Sequence, residues 1–285
     1  MNPRLIGSNI VAATDQSAEG RHAVGMARAI ASREGRVWTV VSVVPHVAKG
    51  PVAAGTSVSS SEAGAPIPEL GRLRTWLGPE ILGGRDADPE VTLACGLPGI
   101  EICRLAAGRA ADLIVLGRRA RAPDHRLELG ETSDDVVRRS EVPVLFVPTR
   151  VQQFKRVVAA LDGTERARAV LTAAMGFAAA VGAELTALTV EPGSADEAAA
   201  GLGSPMPRAR TIRFSDLNVA GTENTPVTIR RGNPIEEILA HLQSSNTDLL
   251  VIGYRRGGPP KVIGPTNIAR NLLYAAPSAV LTVPI

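Results

Sequence analysis

Two short turns, Asp15-Gln-Ser17 and Asp162-Gly-Thr164, each follow an apolar, β-branched run. Two glycine loops stand further along: Gly117-Arg-Arg-Ala120 leading to Gly130-Glu131-Thr132, and Gly253-Tyr-Arg-Arg256 leading to Gly264-Pro265-Thr266. A glycine just before a helix leaves backbone N–H groups free and sets the positive end of the helix dipole against an anion, phosphate above all. The Thr132 or Thr266 hydroxyl adds a donor. Arg118, Arg119, Arg121, His125 and Arg126 put positive charge in the first loop, which suits either an anion site or a solvated basic loop. The chemistry on offer is anion binding. No nucleophile–base constellation is legible, so no catalytic residue is assigned. Cys95 and Cys103 form no CxxC pair and read as reduced, mostly buried thiols, Cys95 the more accessible because it ends a strand. His22, His46, His125 and His241 show no metal-ligand spacing.

These residues need elements to position them, and the chain supplies the same elements twice. Asn9-Ile-Val-Ala-Ala-Thr-Asp15 answers to Arg156-Val-Val-Ala-Ala-Leu-Asp162, and the two aspartates stand 147 residues apart. Gly96-Leu-Pro98 answers to Gly232-Asn-Pro234, Asp112-Leu-Ile-Val-Leu-Gly117 to Asp248-Leu-Leu-Val-Ile-Gly253, and Val144-Leu-Phe-Val-Pro148 to Val280-Leu-Thr-Val-Pro284, each 136 apart. The first half therefore carries eleven more residues, all between 15 and 96. The boundary falls in the polar stretch Thr149-Arg-Val-Gln-Gln153, giving domains 1–149 and 154–285.

Strands are expected at 9–14, 37–44, 90–95, 112–116 and 143–147, and again at 156–161, 184–190, 226–230, 248–252 and 279–283. Runs apolar on both faces suit parallel sheets covered by helices. Ala23, Val24, Met26, Ala27, Ile30 and Ala31 make one helical stripe; Val170, Ala173, Ala174, Phe177 and Val181 make its counterpart. Residues 48–68 read as a mobile loop. Leu70, Leu73, Leu77 and Ile81 predict a short helix with Trp76 beside its stripe. The fold class is α/β: two tandem, doubly wound domains. In such sheets ligands sit at the carboxyl ends of strands, where strand order reverses. The turn after strand one, the end of strand two near Val43 and Val190, and the loop after strand four should converge there.

Composition excludes several classes. The chain has 285 residues, 45% of them hydrophobic, with a net charge of +3, so disorder is not its dominant state. No apolar run is long enough for a membrane span, and no signal peptide is visible, which makes a cytoplasmic location the expectation. Aromatic residues make up 3%, and a net charge of +3 is weak over this length, which argues against nucleic-acid binding despite a pI near 9.2.

The whole chain resembles a tandem universal stress protein over about 9–148 and 156–284. The Val-Ala-x-x-Asp start, the Gly-x-Pro turn, the Asp-Leu-Ile/Leu-Val-x-Gly strand and the Pro-Val-Leu-x-Val-Pro ending carry that resemblance. It implies five-stranded parallel sheets of order 3-2-1-4-5 flanked by helices. It also implies an internal pseudo-dimer formed through the last strands, a further homodimer being a second option. Part of the family binds ATP, with or without Mg²⁺, through Gly-x2-Gly-x9-Gly-Ser/Thr. Gly117, Ala120 and Gly130 keep that spacing in the first half, but Ala120 replaces a glycine and Glu131 replaces the hydroxyl residue, with Thr132 one residue further on. Gly253, Arg256, Gly264 and Thr266 stand in for it in the second half, with a loop two residues shorter and Pro265 at the hydroxyl position. The resemblance implies base and ribose contacts from Ala13, Asp15 and Val43, or from Ala160, Asp162 and Val190. Each aspartate could instead merely cap its helix. The resulting expectation is a stress-response protein that binds an adenine nucleotide in at least one half, acts as a regulatory or protective module toward an unknown protein partner, and hydrolyses ATP slowly at most. The competing expectation is a nucleotide-free scaffold of the same fold.

Overall fold

The structure, a computed structural model, describes residues 6–32, 36–44, 57–59, 68–83, 88–118, 130–191, 217, 219–256 and 267–285. The chain passes from one compact unit to a second after Gln152. In the first unit the order is β1 (Asn9–Ala13), α1 (Ala18–Ala31), β2 (Val37–Val44), β3 (Ser57–Ser59), α2 (Pro68–Leu77), α3 (Pro79–Leu82), β4 (Glu90–Cys95), α4 (Pro98–Gly108), β5 (Leu113–Arg118), α5 (Glu131–Arg139) and β6 (Val144–Pro148). The second unit has β7 (Arg156–Leu161), α6 (Ala167–Val181), β8 (Glu184–Glu191), β9 (Val227–Arg231), α7 (Pro234–Ser244), β10 (Leu249–Tyr254), α8 (Ile268–Ala275) and β11 (Ala279–Pro284).

Within the first unit the strands lie in the order β3-β4-β2-β1-β5-β6, and within the second β9-β8-β7-β10-β11. Five parallel strands in each thus follow the order third, second, first, fourth, fifth. The first strand lies in the middle, and the order reverses beside it. Its apolar run is buried on both faces: Ile10, Val11 and Ala12 are wholly inaccessible. Helix stripes close the faces. Ala23, Val24, Ala27 and Ile30 of α1, and Val170, Ala174 and Phe177 of α6, are buried. Burying each large apolar side chain is worth about 1.5–3 kcal/mol.

Two local expectations need revision. The loop expected over 48–68 contains β3, which adds antiparallel to the outer edge of β4 with Val58 opposite Leu93; the rest of that stretch lies outside the described residues apart from Pro68. The helix expected over 70–81 is two helices, because Gly78 at φ 68° breaks it and starts α3. Leu70, Leu73, Leu77 and Ile81 are buried as the stripe requires. Arg21 of α1 ties these helices down, its guanidinium lying 4.6 Å over the Trp76 ring and pairing with Glu80.

The repeated motifs acquire structural reasons. Asp112 accepts hydrogen bonds from the backbone N–H groups of Gly7 (2.8 Å), Ser8 (3.0 Å) and Asn9 (3.3 Å), which fixes the entry into β1. Burial pushes its carboxyl above the usual carboxylate range, against the pull of those donors. Asp248 does the same job in the second unit, accepting from Lys155 and Arg156, both at 2.9 Å. In the Gly-x-Pro turns, Gly96 (φ 143°) and Gly232 (φ 134°) adopt backbone that side chains disfavour, and proline supplies the first helical residue. Cysteine burial is the reverse of the expectation. Cys95 at the end of β4 is buried, whereas Cys103 on α4 is half-buried, its thiol pushed up to about 11 chiefly by burial.

Candidate functional site

The parallel register brings the carboxyl ends of three strands together. In the first unit Ala13 is paired with Val41 of β2 on one side and Leu116 of β5 on the other. Asp15, Val43 and Gly117 lie just beyond these pairs, so the strand order reverses at the three positions expected to meet. In the second unit Ala159 of β7 is paired with Ala187 of β8 and Val251 of β10, and Ala160, Asp162, Val190 and Gly253 follow. Asp15 and Asp162 are exposed; Val43 and Val190 are half-buried; Ala13 is buried and Ala160 half-buried.

The turn after the first strand is built alike in both units. Asp15 accepts a hydrogen bond from the Ser17 N–H (3.0 Å), and Ser17, not Asp15, caps α1 by accepting from the Gly20 N–H (3.1 Å). Asp162 accepts from both the N–H and the hydroxyl of Thr164 (3.0 and 2.7 Å). The Thr164 oxygen in turn accepts from the Arg166 N–H (3.3 Å). The simple cap reading is therefore corrected: each aspartate shapes the turn one step ahead of its helix. The residue between must be left-handed, Gln16 at φ 62° and Gly163 at φ 69°.

The glycines separate by cause. A Cβ at Gly117 would come within 2.7 Å of the Glu19 carbonyl group and 2.9 Å of the Gly20 nitrogen, so helix α1 demands this glycine with no ligand involved. A Cβ at Gly253 would meet the Ile285 and Val170 side chains at 2.8 and 3.2 Å. Gly130 differs: among the described residues nothing lies within 4 Å of its missing Cβ, and its φ of −54° is open to any residue. It precedes α5 without a side-chain cap, and the first N–H groups of the helix make no intrahelical bond. Thr132 is half-buried and Glu131 exposed in that same turn. In the second unit α8 starts at Asn267, whose side chain accepts from the Arg270 N–H, and its first turn carries no acid.

Arg256 is exposed. Ala120, Gly264 and Thr266, with the remaining arginines of the first loop, lie outside the described residues. One charged residue, Arg150, escaped the sequence reading. Arg118, at the end of β5, is held down to about 10 by burial and by Arg150, which follows β6. Arg150 belongs to the polar stretch read as a linker, and only the pairing of Arg118 with Pro148 brings the two together. Among the described residues no group of three or more His, Cys, Asp or Glu could hold a metal ion, and no helix is long and apolar enough to cross a membrane.

The sequence profile of the universal stress protein family matches residues 8–148 and again 153–284. A universal stress protein from Archaeoglobus fulgidus DSM 4304 is similar in structure, with a TM-score of 0.68, 20% identity and 98% of both chains covered. A putative universal stress protein from Pseudomonas aeruginosa UCBPP-PA14 follows with a TM-score of 0.63 and 16% identity, covering 97% of this chain and 93% of that one. A functionally unknown protein from Pseudomonas aeruginosa PAO1 has a TM-score of 0.61 and 18% identity over 97% and 92%. Among curated proteins none matches the sequence.

Proposed function

This chain belongs to the universal stress protein family, and from that premise we propose that it is a stress-response module that binds an adenine nucleotide in at least one unit. Conformation or partner choice follows occupancy. The observation that carries the reading is the convergence, at the point where strand order reverses, of an exposed aspartate, a half-buried strand-two valine and a strand-four glycine in both units.

The second unit is the better candidate for ATP. Its strand-one turn keeps Asp162-Gly163-Thr164, and the first turn of α8 brings no carboxylate toward a phosphate. The nucleotide-free scaffold reading draws on Gly117, whose identity α1 already explains. Protein purified without added nucleotide, denatured and run on anion-exchange chromatography should release nucleotide, and calorimetric titration should report micromolar ATP binding. Asp162→Ala should weaken ATP binding about tenfold or more, the loss of one good polar contact. An empty protein that gives no heat with ATP, ADP, AMP or adenosine supports the scaffold instead.

A further inference from the structure

We infer that β9 is the docking edge for a second copy of this chain, the two β9 strands pairing antiparallel about a two-fold axis at Ile229. In a parallel strand, alternate residues turn both N–H and C=O toward the same neighbour. The Ala187 N–H donates to the Pro226 oxygen (2.8 Å) and the Gly232 N–H to the Glu191 oxygen (3.1 Å), so the even-numbered residues of β9 face β8. Val227, Ile229 and Arg231 therefore turn their backbone groups to the outer edge. β9 ends the sheet on this side, and among the described residues nothing pairs with it there.

The repeat supplies the comparison. Val91, Leu93 and Cys95 of β4 stand 136 residues before Val227, Ile229 and Arg231. In the first unit Val91 and Leu93 are 0% and 7% exposed, and β3 closes the edge with Val58 opposite Leu93 in an antiparallel pair. Val227 and Ile229 are 40% and 61% exposed. Proteins discourage pairing at an open edge with charge, proline or a bulge. The two cations of β9 do not act this way, because each has its own acid: Arg230 pairs with Glu237 of α7 and Arg231 with Glu191 of β8, both at 3.1 Å. That charge pattern favours a copy of the same strand as the occupant. Centred on Ile229, the pairing overlaps all five residues of β9. Ile229 meets its own counterpart, Val227 meets the aliphatic stem of Arg231 in the second copy, and Thr228 lies opposite Arg230. No arginine lies opposite another. A two-fold contact of this kind uses the same surface on both copies and closes at two.

The test is sedimentation velocity of the full chain across the micromolar range, where the wild type should form a dimer. Ile229→Lys alters a side chain that is already exposed and sets two ammonium groups opposite each other at the axis, so it should weaken the dimer about tenfold or more. Val37→Lys, at a site on β2 that is also 61% exposed, should leave the dimer intact. Cross-linking reads the register. A hydrogen-bonded antiparallel pair sets its Cα atoms ~5.5 Å apart, within reach of a disulfide. Ile229→Cys should therefore give a covalent dimer on oxidation, above the wild-type background from Cys95 and Cys103, and Thr228→Cys should not. A wild type that stays monomeric, a dimer that survives Ile229→Lys at full strength, or an Ile229→Cys chain that fails to cross-link overturns the inference.

Discussion

At the scale of single residues, the repeat supplies its own controls. Gln16 and Gly163 occupy the same left-handed position in the turn after the first strand. A side chain there costs about 1–2 kcal/mol, and a glycine avoids the cost. Gly163→Ala should therefore destabilise the second unit by about 1 kcal/mol, and Gln16→Gly should stabilise the first by somewhat less, because glycine also loosens the unfolded chain. Urea denaturation checks both. Gly117→Ala places a methyl group against the backbone of Glu19 and Gly20, which should cost about 1–3 kcal/mol whether or not nucleotide is present. A cost seen only in the bound state would instead mean that the ligand, not α1, needs the glycine. Cys103 allows a pH prediction. Its thiol is held at about 11 in the folded chain against 9.0 when free, so the unfolded chain loses this proton first. Stability should then fall as pH rises from 9 toward 11, and Cys103→Ala should remove that part of the decline.

At the scale of elements, helix starts and strand entries distinguish the two halves. Leu97 and Asn233 occupy the same position before α4 and α7. Asn233 accepts a hydrogen bond from the Ile235 N–H at 3.0 Å, whereas Leu97 caps nothing and is 67% exposed. Leu97→Asn should stabilise the first unit by about 1 kcal/mol in a thermal melt, and Asn233→Ala should cost the second a similar amount. Asp112→Ala would leave the Gly7, Ser8 and Asn9 N–H groups without their acceptor and should cost about 2–3 kcal/mol. The strands were legible because a parallel strand covered on both faces must be apolar throughout, as Leu113 to Leu116 and Leu249 to Ile252 are. The break at Gly78 and the strand β3 were not. The stripe Leu70, Leu73, Leu77, Ile81 continues through the break at helical spacing, and Ser57–Ser59 owes its pairing to the edge of β4, not to any pattern of its own.

At the scale of the whole molecule, each unit secures its own side of the connecting stretch. The Val151 carbonyl accepts from His22 Nε2 of α1 at 2.7 Å, and Phe154 packs edge-on against Phe177 of α6 with ring centroids 5.3 Å apart. The two units differ in the charge at their last helix starts: Glu131 stands in the first turn of α5, and the first turn of α8 has no acid. Adenine nucleotide at a hundred times its dissociation constant should stabilise the unit that binds it by about 2.7 kcal/mol. Hydrogen exchange should find the ATP-induced protection around Asp162, Val190 and Gly253, with little around Asp15, Val43 and Gly117. Equal protection in both units would contradict the proposed division.

The amino-acid sequence alone determined the repeat, the alternation of strands and helices and the three positions that meet in each half, because apolar periodicity and turn residues act over a few neighbours. Tertiary structure decided what each of these residues does. Gly117 answers to the backbone of α1, Asp112 holds the entry to β1, Asp15 shapes a turn that Ser17 caps, and Arg118 meets Arg150. Those roles depend on contacts between residues far apart in the chain, and such contacts exist only once the strands have set their register.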